Sequence, residues 1–301
     1  MRTIFQNCTL LDGTEQMSPR PGTDVAIEND KIVQIGKITP NKGDRVVDLT
    51  GKYLMPGLIN LHVHLPAGGK PQNKPMNTNR LTKIALSSGL SRALVLRMCH
   101  AYAMQGLLSG VTTVRAVGGL DNLDTRLRDR IYAGKLDGPR ILAANYAIGV
   151  PHGHMVGSVT RPAETVEDAV RMVDQLHGQN VDLIKLMITG GVMDAKVKGE
   201  PGRLMMQADM IKACCDRAHS YGLKVAAHVQ SPEGYAQRCS MVWTPLSMAL
   251  LCQRRSWLPS IKAARCWCAP CLRRCPWPSS KERLWALPRR CSTIPIWCIT
   301  I

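Results

Sequence analysis

The stretch Met55-Pro56-Gly57-Leu58-Ile59-Asn60-Leu61-His62-Val63-His64 decides how the rest of the chain is read. Met55-Pro56-Gly57 is a turn signal, and the apolar run behind it ends in two histidines one residue apart. In a β-strand, side chains at i and i+2 leave the same face, so two imidazoles at this spacing can converge on one cation. A lone His-x-His also arises by chance, so by itself the pair is only a candidate chelate.

Composition bounds what can surround that strand. At 301 residues and 45% hydrophobic content, the chain can bury a full core, as one large α/β barrel or as two smaller domains. It has no apolar run of about 18 residues, so no transmembrane helix is expected. The start Met1-Arg2-Thr3-Ile4-Phe5-Gln6-Asn7 lacks the apolar core and cleavage site of a signal peptide, and a cytoplasmic protein is the expectation. A net charge of +17 and 12 cysteines would ordinarily point to an anionic partner and a disulfide or metal framework. Both are concentrated beyond Gln237, where all six tryptophans, eight of the cysteines and eleven Lys or Arg residues lie with one acid, Glu282.

Residues 1 to about 54 alternate apolar and polar residues between turn signals, as in Asp24-Val25-Ala26-Ile27-Glu28 and Lys31-Ile32-Val33-Gln34-Ile35-Gly36, the pattern of a small β-sandwich. From Leu58 strands alternate with helices, which argues parallel βα units and a TIM-like barrel. Five strands are legible, at 58–64, 111–115, 140–144, 183–187 and 225–228. Helices are expected over 81–108, 121–133, 165–179 and 206–221, the third opened by a Thr165-x-x-Asp168 capping signal.

The run from Asp48-Leu49-Thr50-Gly51 through Pro56-Gly57-Leu58-Ile59-Asn60-Leu61-His62-Val63-His64 resembles the barrel entry of the amidohydrolase superfamily. That family typically reads Asp-x-x-Gly-x-x-x-x-Pro-Gly-Leu-Ile-Asp-x-His-x-His. Asn60 replaces the usual Asp, which leaves both histidines in place. Val111-Thr112-Thr113-Val114-Arg115-Ala116-Val117-Gly118-Gly119 resembles the imidazolonepropionase-like and Xaa-Pro dipeptidase-like members, with Ala116 where Asp is usual. The resemblance implies a divalent-metal hydrolase, with one or two zinc ions, acting on an amide C–N bond in a peptide-like or cyclic amide. It also implies a sandwich domain completed from the C-terminus of the full chain.

Four positions match its metal ligands. Beside His62 and His64, Lys185 lies in an otherwise apolar strand ahead of Thr189-Gly190-Gly191. A strand lysine is as a rule an edge charge or a snorkelling residue. The resemblance implies instead a carboxylated lysine, an anion able to bridge two cations. His228 ends the fifth strand, where the family's third metal histidine belongs. Pro151-His152-Gly153-His154 follows the third strand on the face where barrel active sites form, and His152, His154 and Arg115 are candidate substrate contacts. Solvated loop histidines are as common, and His219 reads as a helix-surface residue.

After the fifth strand the family would continue to Gly-Val-Asp-Thr-Ile-Glu-His-Gly, which carries a fourth histidine. The chain instead reads Met241-Val242-Trp243-Thr244-Pro245-Leu246-Ser247-Met248-Ala249. Reading each codon from its third base forces Gly at Met241/Val242, Asp at Trp243/Thr244 and Gly at Met248/Ala249. The free positions permit Gly-Val-Asp-Thr-Leu-Glu-His-Gly, if Leu246 ends in G and Ser247 is AGC. The same shift forces Leu-Val across Cys266-Trp267-Cys268, inside a run that can read Ala-Val-Leu-Val-Cys. The sequence therefore reads as frameshifted between about Gly234 and Cys239.

The expected organisation is a partial β-sandwich domain over 1–57, the first five units of an incomplete (β/α)8 barrel over 58–236, and an out-of-frame, disordered tail over 237–301. The irregular Cys266, Cys268, Cys271 and Cys275 then form no zinc cluster. Turnover is expected to be lost or impaired, since the sixth-strand ligand and the eighth-strand acid are missing. Expected partners are small amide or dipeptide-like molecules, with neither membrane nor nucleic acid, and a homo-oligomer is open for the intact family. The rival reading is a basic binding protein whose Arg/Trp-rich tail contacts nucleic acid or acidic surfaces.

Overall fold

The computed structural model describes residues 1–69, 78–191 and 202–231, together with the backbone of a strand at 297–300. The N-terminal strands are β1 (Thr3–Leu10), β2 (Arg20–Glu28), β3 (Lys31–Gly36), β4 (Arg45–Asp48) and β5 (Tyr53–Pro56). They form one mixed sheet in which β1 pairs antiparallel with β2 and parallel with β4 and β5 at its two ends. Alternation puts Phe5, Cys8, Leu10, Val25 and Leu54 in one cluster and Ile4, Ala26 and Ile38 in another. Asp24 stitches the sheet, its carboxylate accepting from the Asn7 and Ile38 backbone N–H groups, each at 2.9 Å.

The barrel begins with β6 (Leu58–Val63), followed by α1 (Thr78–Leu86), α2 (Gly89–Leu108), β7 (Val111–Ala116) and α3 (Leu123–Tyr132). The single helix expected over 81–108 is two. Ser88 caps α2, and the reciprocal Ser88–Ser91 hydrogen bonds make a capping box that starts a new helix inside the periodic run. Next come β8 (Arg140–Ala143), β9 (Ala147–Gly149) and β10 (Thr160–Pro162), then α4 (Val166–Gly178), β11 (Leu183–Met187), α5 (Ala208–Ser220) and β12 (Lys224–His228). The capping signal at Thr165 and Asp168 does open α4.

The third barrel strand is therefore split. Asn145, with φ of 57°, separates β8 from β9. β8 continues the parallel sheet β6-β7-β8, while β9 joins β10-β9-β11-β12. Through this segment the five parallel strands follow one another in chain order, and the short β10 is an addition that the sequence pattern did not indicate.

Helices cover the outer face. Ile184 and Leu186 of β11, with Val225 and Ala227 of β12, pack under α4 and α5 in the larger cluster. The alternate residues Leu183 and Ala226 meet Val117 and Ala144 inside. Since side chains alternate, Lys185 shares the inner face with Leu183, and His228 shares it with Ala226. All five residues of β11 are buried, as expected of a parallel strand covered on both faces.

A final strand, β13 (Trp297–Thr300), pairs antiparallel with β5. The rest of the tail lies outside the described residues. The inferred frameshift point and Cys266, Cys268, Cys271 and Cys275 lie outside the described residues. Among the described residues, no helix is long and apolar enough to cross a membrane.

Candidate metal and substrate site

Of the four expected side chains, Lys185 lies in the middle of β11 and His228 ends the neighbouring β12. β6 carries His62, and His64 follows directly after it. The Asn60 side-chain oxygen accepts from the His62 backbone N–H at 3.1 Å, so the residue in place of the usual Asp shapes the strand end. The two imidazoles lie 5.3 Å apart, centroid to centroid, in an edge-to-face arrangement. His64 Nδ1 is 2.9 Å from the Gly118 carbonyl, which fixes the ring by a backbone contact.

Lys185 is 1% exposed, and its charge is felt at His62, His64 and His228. That shared field is the clearest sign that residues distant in sequence converge. Burial, with Lys185 next, pushes His62 down to about 2. Burial, then His154 and Lys185, pushes His228 down to about 3. His64 is also lowered by burial, with the Gly118 carbonyl opposing. All three rings are thus held neutral at pH 7, the form that donates a lone pair to a metal.

His154 stacks on His228 at 4.2 Å and is 7% exposed. It is packed against Gly191, where a Cβ would fall 2.1 Å from His154 Nδ1, so only glycine leaves the ring its place. His228 Nε2 lies 3.3 Å from the Gly190 carbonyl. His154 is therefore brought to the site, whereas His152 is exposed in a left-handed turn residue with φ of 62°. Arg115 adds its charge near His62, and its Nε donates to the Leu61 carbonyl at 2.7 Å, tying β7 to β6. His219 is exposed on α5, as expected.

The donor chemistry suits a divalent cation: three neutral imidazoles surround a lysine whose carbamate form would be anionic. Among the described residues no three His, Cys, Asp or Glu side chains are already drawn to metal-holding distances. Sequence reasoning passed over the glycine pairs. Gly118-Gly119 and Gly190-Gly191 were visible as motifs, but only the fold shows that their carbonyls and missing side chains seat His64, His154 and His228.

The resemblance to known proteins agrees with this geometry. A 5-methylthioadenosine/S-adenosylhomocysteine deaminase of Thermoanaerobacter pseudethanolicus is 44% identical over 66 residues, 22% of this chain and 15% of that protein. The fold matches that of an amidohydrolase crystal structure with a TM-score of 0.67 at 26% identity, covering 80% of this chain and 59% of that one. It also matches a Xaa-Pro dipeptidase with methionine bound in its active site, with a TM-score of 0.65 at 25% identity, covering 80% and 60%. The chain thus spans about three-fifths of those structures and a smaller share of the curated relative. The amidohydrolase sequence pattern matches residues 53–240, more than half of the chain, and the site lies within them. On that match the chain belongs to the amidohydrolase family.

Proposed function

We propose that this chain is the front part of a metal-dependent hydrolase that cleaves an amide C–N bond in a small, dipeptide-like substrate. What supports the reading is the His62–His64 pair, 5.3 Å between ring centroids, together with Lys185 buried in β11 and His228 at the end of the neighbouring β12. His62, His64, Lys185 as its carbamate, and His228 would hold one or two divalent ions, with zinc favoured by the imidazole-rich donor set. Bound there, the metal would supply a water acidic enough to attack at neutral pH and would polarise the substrate carbonyl. His154, stacked on His228, is placed to donate a hydrogen bond to a substrate carbonyl or carboxylate, and Arg115 adds positive charge on the β7 side. The relative named Xaa-Pro dipeptidase supports a dipeptide-like substrate over a larger one.

Turnover by this chain is expected to be weak or absent. The family match ends at residue 240, where the composition changes and the shifted frame becomes readable. Carried backwards, that frame permits Val-Arg-Ala-Ala-Leu directly after Gly234, a helical run leading into the shifted Gly-Val-Asp-Thr. The organisation that follows is a partial sandwich over 1–57, five barrel units over 58–236 and an out-of-frame tail over 237–301. A group able to take the proton from the attacking water, normally a carboxylate, would be encoded beyond the shift.

Metal analysis tests the site. Purified chain should carry a divalent ion that is lost on His62→Ala, His228→Ala or Lys185→Ala and retained on Cys268→Ser with Cys271→Ser. Metal that follows the two cysteines, or a wild-type chain that takes up none from excess zinc, overturns the reading.

A further inference from the structure

The start of α3 holds a side chain whose presence the site does not yet explain. Asp124 is 1% exposed, and neither carboxyl oxygen has a hydrogen-bond partner among the described residues. A carboxylate in the first turn of a helix normally takes the free backbone N–H groups there. Here that arrangement is pre-empted, because the Thr125 backbone N–H donates to the Asn145 side-chain oxygen at 3.1 Å. Asp124 also lies near Cys99 of α2, whose thiol is held up first by burial and then by the Asp124 charge. An unpaired polar group in such a place costs free energy that a leucine would not.

What Asp124 touches is Gly119. A Cβ on Gly119 would lie 2.3–2.5 Å from all three atoms of the Asp124 carboxyl group, so that group fills the space beneath the glycine. The turn above it is held at three points. The Val117 N–H donates to the Val63 carbonyl at 3.0 Å, the Gly119 N–H donates to the Asn145 carbonyl at 2.7 Å, and the Gly118 carbonyl faces His64 Nδ1 at 2.9 Å. With Nδ1–H donating to Gly118, the His64 lone pair resides on Nε2.

We propose that Asp124 is a positioning residue for His64: its carboxyl group wedges the Gly118–Gly119 turn so that the Gly118 carbonyl holds the His64 ring in its Nδ1–H tautomer, with the lone pair on Nε2. The wedge works by shape, and the neutral amide of asparagine fills it equally well. This inference rests on the reading of His64 as a metal ligand, but its primary readout needs no metal.

The test is nitrogen NMR of the His64 imidazole in metal-free chain, with zinc affinity measured in parallel. Asp124→Ala should abolish the protected Nδ1–H signal and weaken zinc by roughly 10–100-fold, the usual effect of losing an outer-shell support. Asp124→Asn should preserve both. Leu127→Ala, which opens the same apolar cluster without touching Gly119, should leave the tautomer unchanged. If Asp124→Ala does not fold, Asp124→Ser shortens the wedge and gives the same reading. The proposal is overturned if the shortened variant keeps the wild-type Nδ1–H signal, if Asp124→Asn loses it, or if Leu127→Ala removes it as well. A wild-type chain that binds no zinc, yet loses the signal on Asp124→Ala, refutes the metal reading and leaves the wedge standing.

Discussion

Replacing Asp124 by Asn should remove a pH-dependent instability built into the fold. Burial pushes this carboxyl from its ordinary 3.8 up to about 7. At about 1.4 kcal/mol per pH unit, the folded chain disfavours the ionised form by about 4 kcal/mol. The sign follows from proton binding. Between pH 4 and 7 the folded state holds a proton that the unfolded state has released, so stability falls as pH rises and levels off above about 7. His62 and His228 act the other way, because their folded values are depressed to about 2 and about 3, so stability falls as pH drops below about 6.5. Cys99, held up to about 12, stays a thiol throughout. The wild-type profile is therefore a sum of opposing slopes, and the difference between Asp124→Asn and wild type isolates the carboxyl. Urea unfolding at pH 5, 6, 7 and 8 should show the advantage of the variant growing by up to about 1.4 kcal/mol per pH unit to pH 7, then flattening. A difference that does not change with pH would refute the reasoning.

Other consequences are as direct. Gly191→Ala should dislodge His154 from His228, because its methyl group would fall 2.1 Å from the His154 ring, and the NMR shifts of His154 and His228 should report the change. Ser88→Ala should cost about 1 kcal/mol in urea unfolding by removing the capping box that starts α2, and an effect near zero would show that α1 and α2 do not depend on that break. Bound metal should not be displaced by protonation of His62 or His228 until the pH approaches their depressed values of about 2 and about 3, and NMR showing either ring protonated at pH 5 in folded chain would contradict that burial. The gene should read TTG at Leu246 and AGC at Ser247, and a CTN leucine or a TCN serine there would break the shifted-frame reading.

Much of the barrel was legible because parallel βα units write themselves plainly. Buried strands are short apolar runs, and β11 and β12 fall within a residue of the expected 183–187 and 225–228. The Thr165–Asp168 signal marks a helix start through hydrogen bonds made within four residues, so no tertiary context was needed. The break at Ser88 was hidden because apolar periodicity continues across it, and two adjacent serines can sit in a helix or cap one. The split third strand depends on Asn145 adopting a left-handed conformation, which is stabilised by its side-chain contacts to Thr125 and Gln179. Those partners lie 20 and 34 residues away, beyond any local pattern.

The sequence by itself determined which side chains could serve as ligands, because a two-residue spacing on a strand leaves histidines no choice of face. It also supplied the shifted-frame reading, a proposal that sequencing of the gene tests, since codon arithmetic depends on no fold. Only the tertiary structure decided that His154 reaches the cluster while His152 does not, and that glycine backbones seat the rings. It alone revealed Asp124, whose role depends on a void beneath Gly119. Proximity between residues distant in the chain is fixed by packing, and packing is a property of surfaces brought together rather than of any stretch read in order.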